Sequence, residues 1–128
     1  MSEKTQEGLD NLIIEGLNAE KGELDLRERE LDDDDIKLIV NSDKIKGVTA
    51  LFLEYNEIGD EGLQAILGSE KFKHLTALNM FKNQVSDDGV KEMAKSKTLL
   101  NLSELVMSDN KVGVEGARAL SESKTLSN

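Results

Sequence analysis

Residues 75–101 read LTALNMFKNQVSDDGVKEMAKSKTLLN, and the stretches on either side of them repeat the same pattern. The block before them covers residues 48–74, and the block after them covers residues 102–128. Each block has 27 residues, and the three align without a gap. A looser copy covers residues 21–47. A repeat of this period indicates a stack of similar units, each packing on its neighbours, and so decides the fold.

The apolar residues change their spacing partway along each unit. In the first half they are two apart, as in Leu78 and Met80, which is typical of a strand with one buried face. In the second half they are three apart, as in Val90 and Met93, which indicates a helix with one buried stripe. Each unit is therefore predicted to be a short strand, a turn and a helix, which gives an α/β fold. Such a unit buries its apolar face only when it stacks on another.

The repeat resembles a known family. The blocks LTALNMFKNQVSDDGV and LSELVMSDNKVGVEGA are similar to the leucine-rich repeat pattern L-x-x-L-x-L-x-x-N-x-L. The added steps Gly89-Val90 and Gly116-Ala117 resemble the ribonuclease-inhibitor type of this repeat. The resemblance implies a horseshoe-shaped solenoid, with a parallel β-sheet on the concave face and helices on the convex face. Because family members serve as inhibitors, receptors, GTPase-activating proteins and scaffolds, it implies protein interaction without naming a partner.

The resemblance also sets the predicted domain organisation. It covers residues 21–128, which divide into four leucine-rich repeats, 21–47, 48–74, 75–101 and 102–128. Residues 1–20 are predicted to form an N-terminal capping helix, because Glu7-Gly8-Leu9 falls in the same phase as Glu61-Gly62-Leu63. A terminal unit of a solenoid needs a polar outer face, and this segment supplies acidic and lysine residues there.

The recurrent polar residues are first given structural roles. Asn56, Asn83 and Asn110 follow the strands, where such a column satisfies backbone groups of neighbouring turns in leucine-rich repeats. Arg29 holds this place in the first unit, so the ladder is expected to end there. The recurrent glycines are expected where helix and sheet approach closely. The carboxylates that open the helices are expected to complement the helix dipole, and they include Asp60, Asp87 and Glu115.

Composition excludes several classes of function. The chain has 26 acidic and 16 basic residues, and its net charge of -10 disfavours binding to nucleic acid or to anionic membranes. It has no Cys and a single His74, which excludes a disulfide framework and a sulfur- or histidine-rich metal centre. No apolar run approaches the roughly 18 residues that cross a bilayer. We therefore expect an acidic, intracellular protein of the cytoplasm.

No catalytic motif is present in the sequence. It contains no nucleophile elbow, phosphate-binding glycine loop or metal motif, and we identify no catalytic residue for GTPase activation. The chain is therefore interpreted as non-enzymatic and without a cofactor. The aspartate run at residues 32–35 leaves calcium binding open. A helix start is the favoured interpretation, because calcium loops alternate their ligands with spacers and include a Gly.

Functional residues are predicted on the concave face of the sheet. Strand alternation sends the third, fifth and seventh residues of each unit there, with the eighth at the rim. Three of the four aromatic residues fall on this face, and only Phe72 is left for the core. Aromatic side chains ringed by charges are typical of a protein interface, and the acidic rim favours a basic protein or peptide. The predicted partner-binding residues are Phe52, Glu54, Tyr55, Asn79, Phe81, Lys82, Val106 and Asp109.

Two alternatives remain open at the level of sequence. In the first, Phe52 and Phe81 pack on each other across adjacent strands and only stiffen the sheet. In the second, the protein is a self-associating structural repeat, or part of a longer array, because the uncapped last repeat presents an unpaired strand edge. The apolar residues that self-association would cover are Leu105, Met107, Val112 and Leu120.

Overall fold

The computed structural model describes residues 4–96 and 102–121. Residues 1–3, 97–101 and 122–128, which belong to the predicted cap and to the third and fourth repeats, lie outside the described residues. From β2 onward, strands and helices alternate along the chain, with one short 3₁₀ turn at Glu70–Phe72. In order they are α1 (Gln6–Gly16), β1 (Leu17–Asn18), β2 (Glu23–Asp25), α2 (Asp33–Ile39), β3 (Ala50–Phe52), α3 (Asp60–Leu67), β4 (Ala77–Asn79), α4 (Asp87–Lys95), β5 (Glu104–Val106) and α5 (Val114–Ser121).

The five strands form one sheet in sequence order. Strands β2 to β5 are parallel, and their register pairs Leu24 with Leu51, Leu51 with Leu78, and Leu78 with Leu105. The parallel sheet and the strand–helix alternation predicted from the sequence are therefore confirmed. Strand β1 was not predicted. It pairs with β2 in the antiparallel direction, directly after α1 ends.

The hydrophobic core lies between the sheet and the helices. Leu24, Leu51 and Leu78 point into it from neighbouring strands and are at most 1% exposed. The helices meet them from one side with residues such as Ile66 and Met93, which are each 1% exposed. One face of the sheet is therefore covered by helices, and no helix of the described residues covers the opposite face.

The asparagine column forms the expected ladder between repeats. The Asn83 Oδ1 accepts a hydrogen bond from the backbone N–H of Ile58 at 3.0 Å. Its amide nitrogen donates to the carbonyls of Leu53 at 2.9 Å and Met80 at 3.1 Å. Asn56 and Asn110 make equivalent bonds to the repeats before them. The ladder thus satisfies backbone groups that the turn after each strand would otherwise bury unpaired.

The ladder ends in the first repeat, as expected. Arg29 stands at the asparagine place, and its backbone N–H donates to Asn56 Oδ1 at 3.1 Å. Its guanidinium instead lies 3.7 Å from the Glu15 carboxylate of α1, at the N-terminal side of the sheet.

A second ladder, made by aspartates, was not predicted. The Asp87 Oδ1 accepts hydrogen bonds from the backbone N–H groups of Gly113 at 2.6 Å and Gly116 at 3.0 Å, both in the following repeat. Asp33 makes the same pair of bonds to Gly59 and Gly62. These aspartates were expected to complement the dipole of their own helix. They do lie in the first turn of their own helix, and they also cap the first turn of the next one. In α3 the N-cap residue itself is Gly59, which makes no side-chain bond.

Two of the other predicted dipole carboxylates also bond between repeats. Asp60 Oδ1 accepts from the backbone N–H of Ser86 at 2.8 Å, and its second oxygen accepts from the Ser86 hydroxyl. Glu115 accepts from the Lys91 ammonium at 2.6 Å, across α4 and α5. These acids therefore lie in the first turn of their own helices and also join one repeat to the next.

The aspartate ladder also corrects the interpretation of the recurrent glycines. A Cβ added at Gly89 would lie 2.3 Å from Asp60 Oδ1, and one added at Gly116 would lie 2.4 Å from Asp87 Oδ1. The space that a side chain would need is therefore filled by the aspartate of the preceding repeat. At Gly62 and Gly116 an apolar side chain of the same repeat, Ile58 or Val112, also lies 2.7 Å from the added Cβ.

The aspartate run at residues 32–35 opens α2. Asp32 and Asp35 form a capping box, in which each side chain accepts from the other residue's backbone N–H. Asp35 is 2% exposed, and the Lys4 ammonium lies 3.5 Å from it. Within residues 4–96 and 102–121, no group of three or more acidic or histidine side chains is placed to hold a metal ion.

Candidate partner-binding face

We call the helix-free side of β2–β5 and its rim the open face. Alternation along β3 buries Leu51 and Leu53 and leaves Phe52 and Glu54 half-buried on this side. The open face consists of Glu23, Asp25, Arg27, Glu28, Ala50, Phe52, Glu54, Tyr55, Ala77, Asn79, Phe81, Lys82, Glu104, Val106, Ser108 and Asp109.

An aromatic pair lies near the centre of the open face. The ring of Tyr55 meets the ring of Phe81 edge to face, with centroids 5.4 Å apart and planes at 81°. Tyr55 is 50% exposed, whereas Phe81 is half-buried beneath it. The alternative interpretation of the sequence had Phe52 and Phe81 packing on each other. The ring contact in the structure is between Tyr55 and Phe81. The ring contact of Phe81 joins it to the rim residue of the preceding repeat.

The rim residues share an unusual backbone conformation. Glu28, Tyr55, Lys82 and Asp109 occupy the same place in successive repeats, and all four have φ between 55° and 61°. Gly, Asn and Asp adopt this left-handed region readily, while a bulky side chain such as Tyr pays a steric cost of roughly 1 kcal/mol. Tyr55 is therefore held in a conformation that its own residue type disfavours.

A second row of predicted residues crosses the sheet beside the aromatic pair. Strand register places Phe52 beside Asn79, and Asn79 beside Val106. Val106 is 37% exposed on the edge strand β5. The Asn79 side chain accepts from the backbone N–H of Phe81 at 3.0 Å, which fixes the start of the turn below that ring.

The cations of the open face are already paired within the chain. The Arg27 guanidinium donates to both oxygens of Asp25, at 2.9 and 2.8 Å, and this bonding holds the pKa of Asp25 below its ordinary value. The Lys82 ammonium lies 3.9 Å from the Asp109 carboxylate along the rim. Against these two cations the face carries six carboxylates, so its net charge is negative.

Glu54 occupies the centre of the face in an unsatisfied state. Among the described residues, its Oε1 is the one buried side-chain oxygen or nitrogen that has no hydrogen-bond partner. Arg27 stands beside it on the β2 side and Phe81 on the β4 side, because the pairing continues past the strand ends. The first neighbour is engaged by Asp25 and the second is apolar, so neither satisfies the carboxylate.

The predicted site residues are therefore brought together as one surface, in two groups. Tyr55, Phe81, Glu54 and Lys82 lie in the half nearest the turns, and Phe52, Asn79 and Val106 form the row beside it. Asp109 closes the rim next to Lys82. Sequence reasoning missed the contact of Tyr55 with Phe81 and the unpartnered oxygen of Glu54. Both depend on side-chain directions beyond the regular strands.

Comparison with known sequences decides the family. The sequence profile described as "Leucine Rich repeat" matches residues 48–67, 73–94 and 98–121, which is half of the chain. The chain belongs to the leucine-rich repeat family. Leucine-rich repeat domains generally mediate protein–protein interaction and are typically not enzymes. No curated protein sequence matches the chain.

Solved structures show the same leucine-rich repeat fold at low sequence identity. A structure of Chaetomium Mex67:Mtr2 subunits has a TM-score of 0.68 at 17% identity, over 89% of this chain and 82% of that chain. The Mex67 leucine-rich repeat domain from Chaetomium thermophilum has a TM-score of 0.65 at 22% identity, over 84% and 78%. Actin-binding site 2 of leiomodin-1 has a TM-score of 0.57 at 19% identity, over 94% and 73%.

The chain shows no sign of a membrane span in its described part. None of the helices between residues 4 and 96 or between 102 and 121 is long and apolar enough to cross a bilayer. The longest, α1, has 11 residues.

Proposed function

We propose that this leucine-rich repeat protein is a non-enzymatic interaction module that binds a partner protein or peptide through its open face. The observation that carries the proposal is the aromatic pair, in which Tyr55 stands 50% exposed on Phe81. A large ring kept in solvent, and in a left-handed backbone that disfavours it, costs stability in the free protein. Such a cost is characteristic of residues retained for binding.

The size of the open face limits the partner. Four parallel strands about 4.8 Å apart make a surface only about 15 Å wide. A standard interface buries about 800 Å² on each side, which exceeds what this strip supplies alone. The face is therefore suited to an extended peptide, a loop or a small domain. Its negative charge favours a basic partner.

The finer features of the fold are part of the same proposal. We assign the chain to the ribonuclease-inhibitor type, with the sheet on the concave side of a horseshoe, because full α-helices such as α4 follow the strands. Residues 1–20 form the N-terminal cap, and residues 21–47, 48–74, 75–101 and 102–128 form the four repeats. The absence of Cys supports the cytoplasm as its location.

Loss of the aromatic side chains should abolish partner binding. We expect wild-type protein to retain a specific partner from native cell extract, and a Phe52→Ala, Tyr55→Ala, Phe81→Ala triple variant to lose it. Hot-spot aromatics contribute about 2 kcal/mol or more each, so the combined loss exceeds about a hundredfold in affinity. The measurement is an affinity pull-down with quantitative mass spectrometry, after circular dichroism has shown that both proteins are folded.

Two further variants separate binding from folding. Tyr55→Asn removes the exposed ring while favouring the left-handed backbone, so it should weaken binding without loss of stability. Ile14→Ala removes a 56% exposed apolar side chain of α1, away from the open face, and should leave binding unchanged. Equal binding by wild type and triple variant would contradict the proposal.

Partial exposure of the last repeat supports a second candidate function, self-association. Leu105 and Met107 are only partly buried, although the equivalent Leu78 and Met80 are at most 1% exposed. Sedimentation analysis of the chain should then show a dimer, which becomes a monomer when a polar capping repeat is appended. A chain that is monomeric at every concentration would dismiss this candidate and leave the first in place.

A further inference from the structure

The carboxylate of Glu54 is placed where no described group of the protein donates a hydrogen bond to its Oε1. Its Oε1 is buried, makes no hydrogen bond and belongs to the central strand region of the open face. A buried acceptor without a donor costs the desolvation of that group, and the cost is larger when the group is charged. Water or a neighbouring cation would ordinarily relieve that cost.

The neighbours of Glu54 explain why no described group donates a hydrogen bond to this oxygen, although Arg27 attracts the carboxylate electrostatically. Arg27 lies in the adjacent repeat, but its guanidinium is held by both oxygens of Asp25. On the other side is Phe81, whose side chain has no hydrogen-bond donor and packs against the ring of Tyr55. The carboxylate is therefore flanked by a guanidinium that Asp25 already binds and by an aromatic pair.

We propose that Glu54 binds an arginine side chain of the partner, a step that rests on the proposed function of the open face. Arginine suits this place because its planar guanidinium stacks on aromatic rings while it donates hydrogen bonds to a carboxylate. The Tyr55 and Phe81 rings supply the stacking surface, and Glu54 supplies the charge. An arginine thereby fills the role that Arg27 would have if Asp25 did not hold it.

The approach of the arginine requires only a local change. Glu54 Oε1 is covered in the free protein, so the carboxylate turns toward the open face to meet the incoming donor. Because that oxygen makes no hydrogen bond, turning it breaks none. The movement exchanges an unpartnered buried oxygen for a charge-assisted hydrogen bond, which is among the stronger protein contacts.

The charge of the surrounding surface supports a cationic occupant. Lys82 is paired with Asp109 and Arg27 with Asp25, so both cations of the open face are neutralised. Glu23, Glu28, Glu54 and Glu104 have no ion-pair partner in the described part of the chain. An approaching arginine therefore meets a negative potential across the whole face.

The test uses peptides selected from a random library displayed on phage. Selection on the wild-type protein should enrich peptides that carry an arginine, and the selected peptides should bind at least about tenfold more weakly to the Glu54→Gln variant. Glu104→Gln makes the same charge change on the same face and should alter affinity by less than about twofold. Replacing the peptide arginine with glutamine should remove the difference between wild type and Glu54→Gln.

The outcomes separate this inference from the proposed function. Peptides that need Tyr55 and Phe81 but lack arginine, and bind Glu54→Gln as well as wild type, would overturn the role of Glu54 and leave the open face as the binding surface. Selection that yields no peptides, or only peptides indifferent to the aromatic residues, would overturn both.

A measurement without any partner checks the physical premise. Glu54→Gln keeps the shape of the side chain and removes its charge, so the unfolding equilibrium constant should fall by roughly fivefold. The midpoint of urea denaturation should rise while its slope stays the same. A lower midpoint would mean that the carboxylate is already compensated in the free protein and would overturn the premise.

Discussion

Replacing Asn83 with alanine will lower the free energy of unfolding by about 2–3 kcal/mol, because one buried backbone N–H loses its acceptor and two carbonyls each lose one of their donors. The Ile58 N–H loses its acceptor. The Leu53 and Met80 carbonyls lose one donor each. They keep the amides of Asn56 and Asn110, respectively, as donors. Asn83 is 7% exposed, so water does not replace these bonds without opening the structure. Urea denaturation followed by circular dichroism measures the change.

Asn41→Ala is the matched control for this substitution. Asn41 is exposed after α2, with no side-chain hydrogen bond, so its replacement should change the free energy of unfolding by less than about 0.5 kcal/mol. If Asn83→Ala cost no more than Asn41→Ala, the asparagine ladder would not be what joins the repeats.

Replacing Gly89 with alanine will destabilise the protein by about 2–4 kcal/mol, although alanine is the better helix former. The new Cβ would lie 2.3 Å from Asp60 Oδ1 and 3.1 Å from Val85 Cγ1. Asp60 would have to move away from Ser86, and this N-cap residue of α4 would lose the acceptor of its backbone N–H. The free energy of unfolding is again the quantity to measure.

A double-mutant cycle with Asp60→Ala shows whether the aspartate is the obstacle. Once Asp60 is shortened, Gly89→Ala should cost less than about 1 kcal/mol, which gives a coupling energy of about 1–3 kcal/mol. Gly8→Ala is the control, since Gly8 occupies the same phase in α1 and its nearest side-chain contact is Thr5 Oγ1 at 3.4 Å. It should raise the stability by up to about 1 kcal/mol. If the free-energy costs of Gly89→Ala and Asp60→Ala were additive, Asp60 would not be the group that excludes a side chain at Gly89.

The sequence was sufficient for the parts of the fold that follow from one repeat alone. The spacing of Leu78 and Met80 predicted a strand, that of Val90 and Met93 predicted a helix, and both are confirmed. The resemblance to leucine-rich repeats also predicted the structural role of the asparagine column, and Asn83 makes the expected hydrogen bonds. Each of these features depends on local periodicity or on a residue with a single plausible role.

Contacts between repeats were harder to predict. Asp87 opens its own helix, where a carboxylate favours the dipole, so its sequence position gave no reason to look further. Its bonds to Gly113 and Gly116 depend on the distance between α4 and α5, which the amino-acid sequence alone does not give. Recurrent Gly and Asp in fixed phase were the available signal, and they were interpreted separately.

The sequence predicted which residues share the surface of the candidate site, but it did not predict how their side chains are arranged. Strand alternation was enough to put Phe52, Tyr55 and Phe81 on one side. It did not predict that the left-handed backbone at the rim turns Tyr55 onto Phe81, or that Asp25 takes the guanidinium of Arg27 and leaves Glu54 without a donor. These details depend on competition between neighbours for the same group, and only three-dimensional positions decide it.

The most direct test of the open face as the partner surface is site-specific photocrosslinking. The photoreactive residue p-benzoylphenylalanine replaces Tyr55 in one protein and Gln64, exposed on α3, in another. After irradiation in native cell extract, the account predicts a discrete protein adduct from the Tyr55 position and none from the Gln64 position. An adduct that forms from Gln64 and not from Tyr55 would contradict it, because the partner would then bind the helical side.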